Sequence, residues 1–397
     1  MYVYYFLAAV ACWFGLQSLR GGIRYVKYVK RETSRPLPDY QPFVSVIAPS
    51  RGLEAGLAEN FRAFLEQNYP AYEVLFVFDR ENDPAIKLLN EVSIINSPCR
   101  IVITGPASDS GQKVHNLRVA TEKVDAQTEV LVFADTDARP TREWLKQLVA
   151  PLADETLGAS SGYRWFVPER GGFASRLRSV WNASVASALG EDRAKNFCWG
   201  GSTAIRRSIF EQLNVRGRWQ GSVSDDFTLT HVLKEAAFPI HFTPNCLVAS
   251  VGDCTMSELF EFSTRQIKIT RVYAPNLWLP LLLGSSLFAI VFFGGLLLLL
   301  IRLLLGRPSL ILSLVLLLVF ALGAAKGFIR WQVICIPLKH YRRQLNRDLL
   351  AHVFLWPLAS FLYLCNAIAA GFSRRIEWRG IAYELKSPNE AVIISRD

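Results

Sequence analysis

The sequence predicts an α/β domain with a mostly parallel sheet, carried by an N-terminal transmembrane helix and a C-terminal set of transmembrane helices. Three observations support this. Of the 397 residues 51% are hydrophobic and only 20% charged, and the mean hydropathy is positive at +0.21, which excludes disorder and argues against a purely soluble chain. Four stretches, residues 1–19, 272–301, 309–325 and 349–373, carry almost no formal charge. Between the first two, short apolar runs ended by turn residues alternate with helical patterns, the signature of strands and helices in a parallel sheet.

A helix rising about 1.5 Å per residue needs roughly 20 apolar residues to cross a hydrocarbon core of about 30 Å. Residues 1–19, 272–301 and 349–373 meet that length. Residues 309–325 reach it if the flanking leucines 303–305 join the span and Arg307 snorkels. Residues 1–19 read as an uncleaved anchor. The alternative, a signal peptide, lacks a basic leading segment and a small-residue cleavage site.

Arg20, Arg24, Lys27, Lys30, Arg31 and Arg35 follow the anchor, opposed only by Glu32. That is a positive-inside signal placing the central region in the cytoplasm, and equally a linker that touches anionic headgroups. The +10 net charge, from 44 Lys and Arg against 34 Asp and Glu, is therefore largely juxtamembrane. With no RNA-recognition or zinc-finger pattern beside it, nucleic acid is not an expected partner. The basic segment 326–348 leaves the C-terminal topology open between an interfacial helix and a re-entrant or additional crossing. The seven cysteines are odd in number and form no C-x-x-C pair, so neither a disulfide framework nor a zinc site is expected.

The expected organisation is an anchor at 1–19, a basic and Pro-rich linker at 20–42, a cytoplasmic α/β domain at 43–271, a membrane region at 272–373 with about three spans plus an interfacial or re-entrant segment, and a tail at 374–397. Within the domain, strands are expected at 43–49, 72–78, 100–104 and 129–134, and helices at 57–66, 114–123 and 227–235. Two of these strands end in acids, Asp79 and the Asp135-Thr136-Asp137 triplet. In open α/β sheets ligands collect at the carboxyl ends of strands, so these carboxylates converge on one crevice. Two aspartates one residue apart suit a nucleotide sugar, one holding the ribose and the other a hard cation between phosphates. Solvated turn aspartates are the competing reading.

The ordered set Pro49-Ser50-Arg51-Gly52, Gln67-Asn68-Tyr69-Pro70, Phe78-Asp79, Asp83-Pro84-Ala85, Gln112-Lys113, Asp135-Thr136-Asp137, Cys198-Trp199-Gly200-Gly201-Ser202-Thr203 and Ser224-Asp225-Asp226-Phe227 resembles the GT-A glycosyltransferases of the family 2 superfamily. Within that superfamily it is most similar to the ceramide glucosyltransferase branch and its bacterial lipid-glycosylating relatives. The likeness covers residues 44–271, and the single anchor with a C-terminal membrane block matches that branch.

The resemblance implies a role for each matched residue. Asp79 would hold the nucleobase or ribose. Asp135 and Asp137 would hold the nucleotide and a divalent Mn²⁺ or Mg²⁺, with Asp137 the direct ligand. Lys113 would stand beside the donor diphosphate, unless it is merely solvated. Asp226 would be the general base that takes the acceptor's proton, with Asp225 in the place where the family commonly has Glu. An N-cap at the start of the following helix competes with that role and is compatible with it. One base and a single displacement imply inversion at the anomeric carbon. Relatives carry (Q/R)-x-x-R-W after the base. Here the stretch reads Arg265-Gln266-Ile267-Lys268-Ile269, so Arg265 keeps the first position, while Lys268 keeps charge without the arginine fork and Ile269 replaces tryptophan.

The expected function is transfer of a hexose, glucose first, from a UDP-sugar to a membrane lipid hydroxyl of ceramide type. The alternatives are a processive polysaccharide synthase and a non-catalytic membrane scaffold of the same fold. The ending Ile376-Glu377-Trp378-Arg379-Gly380 with Tyr383 resembles that of many family 2 membrane enzymes, as a short strand pair of unassigned role.

Overall fold

The computed structural model describes residues 1–93 and 97–396. The chain divides into two units. One comprises Met1–Lys30, Val167–Ser187 and Asp253–Ser373; the other comprises Arg31–Phe166, Ala188–Gly252 and Arg374–Asp397.

The second unit is built on a seven-stranded sheet. Its strands are β1 (Val44–Pro49), β2 (Tyr72–Phe78), β3 (Cys99–Ile103), β4 (Val130–Ala134), β5 (Ala159–Val167), β6 (Ser202–Arg206) and β7 (Ile240–Val251), in the spatial order β3-β2-β1-β4-β6-β5-β7. Strands β3, β2, β1 and β4 are parallel, and β6 runs antiparallel to both β4 and β5. This is the mostly parallel α/β sheet that the resemblance to GT-A enzymes implied. The expected strands and helices lie within two residues of the observed ones.

Side chains of successive strand residues point to opposite faces, and both faces are covered. Val44, Val46, Ala48, Val74, Phe76, Phe78, Val130, Val132 and Ala134 pack with Phe61, Phe64 and Trp144 on one side. Ile47, Leu75, Val77, Leu131 and Phe133 pack with Val114, Leu117, Trp219 and Leu229 on the other. A strand buried on both faces has no need of polar alternation, which is why these runs read as continuous apolar segments. Ser45 in β1 and Glu73 in β2, both buried, are exceptions that satisfy one another: Ser45 Oγ lies 2.7 Å from Glu73 Oε1 and 2.6 Å from Thr128 Oγ1.

The tail folds onto this unit as a three-stranded antiparallel sheet, β8 (Arg375–Trp378), β9 (Ile381–Ser387) and β10 (Glu390–Arg396). Trp378 pairs with Ile381, leaving a two-residue turn in which Arg379 and Gly380 have φ of 54° and 70°. Two positive φ values make the turn whose twist matches a hairpin, and glycine suits the second position because it has no Cβ to clash. The expected strand pair is thus a three-stranded sheet.

The first unit is helical. Three helices among the described residues are long and apolar enough to cross a membrane: Tyr2–Thr33, Pro275–Leu304 and Leu310–Ile334. The first continues without interruption through Arg20, Arg24 and Lys27, so the basic segment begins as the last turns of the anchor helix, and the extended linker starts after Thr33. The third runs nine residues past Ala325, through Lys326 and Arg330. The apolar stretch 349–373 is broken into Leu349–Phe354 and Trp356–Phe372. Pro357 sits in the first turn of the second piece, where its missing N–H costs nothing, and the 17 residues of that helix fall short of the usual spanning length.

Candidate active site

Strand register brings the acidic residues to one edge. Ala48 of β1 lies beside Phe76 of β2, and Ile47 beside Phe133 of β4, so Asp79 and Asp135, which follow β2 and β4, leave the sheet on the same side. Because β6 is antiparallel and Ser202 pairs with Ala134, the Gly200-Gly201 pair preceding β6 reaches that edge too. Strand β5 runs back in the direction of β4 and delivers Arg164 there.

Asp79 is 8% exposed. Its carboxylate lies 3.7 Å from Arg51 Nε and 3.6 Å from Arg80 Nε, both longer than a hydrogen bond. Asp79 Oδ1 and Arg51 Nη1 are buried without a hydrogen-bond partner. Such groups are costly unless something supplies the missing bond, so an unsatisfied acceptor and an unsatisfied donor sit side by side. The loop carrying Arg51 is held by Asp83, which caps the helix Pro84–Val92 and accepts from Gly52 N at 3.1 and 2.9 Å.

Lys113, in the first turn of the helix Gln112–Thr121, joins the two acidic groups. Its Nζ is 2.7 Å from Asp135 Oδ1 and 3.2 Å from Asp225 Oδ1. Burial pulls this ammonium down, but Asp135, Asp225 and Asp226 outweigh it and hold Lys113 above the usual lysine range. Arg164 grips the triplet from the other side. Nη2 lies 2.8 Å from Asp135 Oδ2, and Nη1 lies 3.0 Å from Asp137 Oδ2. Its guanidinium covers the Trp199 ring at 4.8 Å. Burial raises the Asp135 carboxyl, yet Lys113 and Arg164 pull it below the usual carboxylate range.

The helix Asp225–Glu235 presents the second acidic pair. Its N-cap is Ser224, whose Oγ accepts from Phe227 N, so Asp225 and Asp226 occupy the first turn, where the helix dipole favours negative charge. Asp226 Oδ1 accepts from Ser224 Oγ and, at 2.8 Å, from Phe227 N. Its capping contribution is thus additional to that of Ser224, and Oδ2 remains for other work. Burial pushes the Asp225 carboxyl up to about 7; Lys113 opposes that shift, and the charges of Asp226 and Asp135 reinforce it. The glycines let these groups close together. A Cβ on Gly200 would lie 2.1 Å from Asp225 Oδ2, and one on Gly201 would lie 2.7 Å from Asp135 Oδ2.

Among the described residues no cluster of three or more His, Cys, Asp or Glu side chains forms a ready-made metal cage. Mg²⁺ or Mn²⁺ in nucleotide sites typically takes only one or two carboxylates, the rest being water and phosphate. Asp137 fits that pattern. Its side chain is 32% exposed against 18% for Asp135, and a carboxylate oxygen that accepts from Arg164 keeps a second lone pair.

The structure therefore gathers Asp79, Lys113, Asp135, Asp137, Asp225 and Asp226 on one unit. Arg265 and Lys268 belong to the helix Met256–Tyr273 of the helical unit, where Arg265 Nη1 pairs with Glu261 Oε1 at 3.2 Å and its guanidinium covers Phe262. Sequence reasoning missed Arg164, whose one signal is a charge inside the apolar run 162–167. It also left Arg379 without a role. Arg379 forms an ion pair with Glu54, and the Asp137 and Asp135 charges act on its guanidinium. The tail is tied to the same wall, because Tyr383 Oη accepts from Gln112 N at 3.1 Å, one residue before Lys113. Arg396 donates to the Ala107 carbonyl.

The chain matches Glycosyl transferase family 21 over residues 3–391. It is 20% identical to ceramide glucosyltransferase 1 of Caenorhabditis elegans over 243 residues, covering 59% of this chain and 51% of that protein. The chain thus spans about half the length of this curated relative. Among solved structures it is similar to a mannosyltransferase from Pyrobaculum calidifontis in complex with GDP-Man and Mn²⁺, at 20% identity and a TM-score of 0.49 over 92% of this chain and 98% of that one. It is also similar to glucosyl-3-phosphoglycerate synthase from Mycobacterium tuberculosis in complex with Mn²⁺ and UDP-glucose, at 14% identity and a TM-score of 0.37 over 62% and 82% of the two chains. With the match running from residue 3 to residue 391, the chain belongs to glycosyl transferase family 21.

Proposed function

We propose that this protein is an inverting hexosyltransferase that moves a hexose, glucose first, from a UDP-sugar to the hydroxyl of a ceramide-like membrane lipid, with its sheet domain in the cytoplasm. Family membership and the ceramide glucosyltransferase relative support the reaction class. The apolar helices and the basic end of the first helix support the membrane setting and the orientation. The observation that carries the reading is Lys113 lodged between Asp135 and Asp225. One buried cation ties the acids expected to hold the donor to the acids expected to act on the acceptor.

The unsatisfied Asp79 Oδ1 and Arg51 Nη1 are complementary to a nucleoside, which offers both donors and acceptors. Arg164 and Lys113 hold Asp135 and Asp137 in place and bring positive charge to where a diphosphate develops its own. Asp137, with Asp135, would hold the divalent cation, which when bound neutralises charge on the departing diphosphate. Asp226 takes the acceptor's hydroxyl proton on Oδ2 as the hydroxyl oxygen of the lipid bonds the anomeric carbon; the bond from that carbon to UDP breaks, and UDP leaves with the electron pair. Asp225 keeps Lys113 in position between the two acidic groups.

The test presents full-length protein in nanodiscs with several UDP-sugars and extracted lipids, and identifies products by mass spectrometry. A β-linked monoglycosylated lipid is expected, lost in Asp226→Asn while UDP still binds. A polymeric product would favour a processive synthase. Absence of UDP release with every lipid would leave only a scaffold, and an Asp226→Asn variant of full activity would remove Asp226 as the base.

A further inference from the structure

Two cations of the helical unit lie among partners that carry no charge. Lys326 and Arg330 stand four residues apart on the helix Leu310–Ile334, hence on one face. Lys326 Nζ donates to Ser18 Oγ of the first helix. Arg330 Nη1 donates to Ser184 Oγ at 3.1 Å on the helix Phe173–Ala186, while Arg330 Nε is buried with no hydrogen-bond partner. Among the described residues neither cation has a carboxylate within ion-pair distance. Buried charges are normally paired, and ionisable groups within membrane segments mark binding sites or pathways.

Depth identifies the missing partner. The first helix and the helix Leu310–Ile334 run side by side in the same direction. A Cβ on Gly15 would lie 3.0 Å from Leu322 Cδ1, and one on Gly22 would lie 3.5 Å from Ile329 Cγ2. Ser18 is therefore level with Lys326. It stands at the end of the uncharged stretch, with Arg20, Arg24 and Lys27 following, so the two cations lie where apolar chain gives way to headgroups. Simple snorkelling would turn them outward to water, whereas both reach hydroxyls on neighbouring helices. Their side chains nonetheless stay partly accessible, since each residue is of intermediate exposure.

We propose that Lys326 and Arg330, with Ser18 and Ser184, form a binding site for the phosphate of an anionic phospholipid, seated between the first helix, Phe173–Ala186 and Leu310–Ile334. The phosphate accepts from Lys326 Nζ and from the arginine fork, including Nε, and neutralises both charges. Basic pockets between membrane helices hold anionic headgroups in this way. The site is independent of the donor crevice and of the identity of the acceptor.

The test uses full-length protein and its Lys326→Met/Arg330→Met variant in nanodiscs of phosphatidylcholine with or without phosphatidylglycerol, followed by native mass spectrometry and thermal melting. The wild type is expected to retain phosphatidylglycerol in preference to phosphatidylcholine and to melt higher in its presence. The variant should bind it roughly 30-fold more weakly, as the loss of two interfacial cations predicts. Preference that survives in the variant overturns the proposal. So does a wild-type melting shift reproduced in full by inorganic phosphate in pure phosphatidylcholine, which would assign the site to a soluble anion. Should the double methionine variant fail to fold, the charge-keeping swap Lys326→Arg/Arg330→Lys must preserve the preference, and Ser18→Ala must weaken it; a swap that abolishes it or a serine change without effect counts against the site.

Discussion

Gly200 is a severe point in the candidate site, and replacing it with alanine tests the arrangement directly. The added methyl carbon would fall 2.1 Å from Asp225 Oδ2 and 2.8 Å from Lys113 Nζ, against an ordinary contact of about 3.5 Å. The Asp225 carboxylate must withdraw by roughly 1 Å, stretching its 3.2 Å contact with Lys113 to about 4.2 Å. At an effective dielectric constant of about 20 the attraction falls from about 5 to about 4 kcal/mol. Overpacking adds about 1–3 kcal/mol, for a total of roughly 2–4 kcal/mol. In a domain of this size that lowers Tm by on the order of 5–10 °C. Turnover falls about fivefold or more, since each tenfold corresponds to about 1.4 kcal/mol at the transition state.

Two comparisons separate this cause from a general glycine effect. Gly190, in the same unit, has open space around its notional Cβ, so Gly190→Ala is expected to be neutral or slightly stabilising. In an Asp225→Ala background the nearest atom struck by the methyl group is gone and only the flexible end of Lys113 must shift, so the added cost of Gly200→Ala should fall below about 1 kcal/mol. The assay is a melting curve at fixed scan rate together with UDP release. A Gly200→Ala protein that melts within about 1 °C of wild type and turns over normally would refute the reasoning, as would an equal cost in the Asp225→Ala background.

Three further outcomes are expected. Arg164→Met leaves Asp135 and Asp137 without the guanidinium that touches both; melting should show a loss of about 3–5 kcal/mol, with Arg164→Lys recovering only part because an ammonium lacks the planar fork that places a separate nitrogen against each carboxylate. The raised Asp225 carboxyl gives a pH signature of fixed sign. Its folded pKa of about 7 exceeds the usual carboxylate value of about 4, so its contribution to stability is complete below pH 4 and is lost as pH rises through 7. Melting temperature should therefore decline more steeply from pH 5 to 8 in wild type than in Asp225→Asn. Chelator should abolish UDP release and Asp137→Ala should weaken Mn²⁺ binding in calorimetry, whereas full activity in chelator would remove the metal from the reading.

The crevice was legible from sequence where one strand suffices to place a residue. Asp79 and Asp135 follow unbroken apolar runs, and a run buried on both faces ends where the first charge appears. Residues supplied by non-local geometry were not legible. Arg164 reaches the site because β5 returns beside an antiparallel β6, a pairing that nothing in the local sequence 159–167 specifies. Arg379 and Tyr383 reach it because a tail more than 240 residues from Asp135 folds back on the Gln112 turn. The same distinction governs the membrane unit. Composition found the apolar stretches but not their ends, because a helix continues through charged residues whenever neighbouring helices offer partners, as Ser18 and Ser184 do for Lys326 and Arg330. It stops instead where the backbone demands it, as beside Trp356-Pro357. Charge in this chain therefore marks what a segment meets, while backbone chemistry marks where the segment ends. On that footing the two uncompensated cations of the third apolar helix are as informative about a ligand as the aspartates at the strand ends.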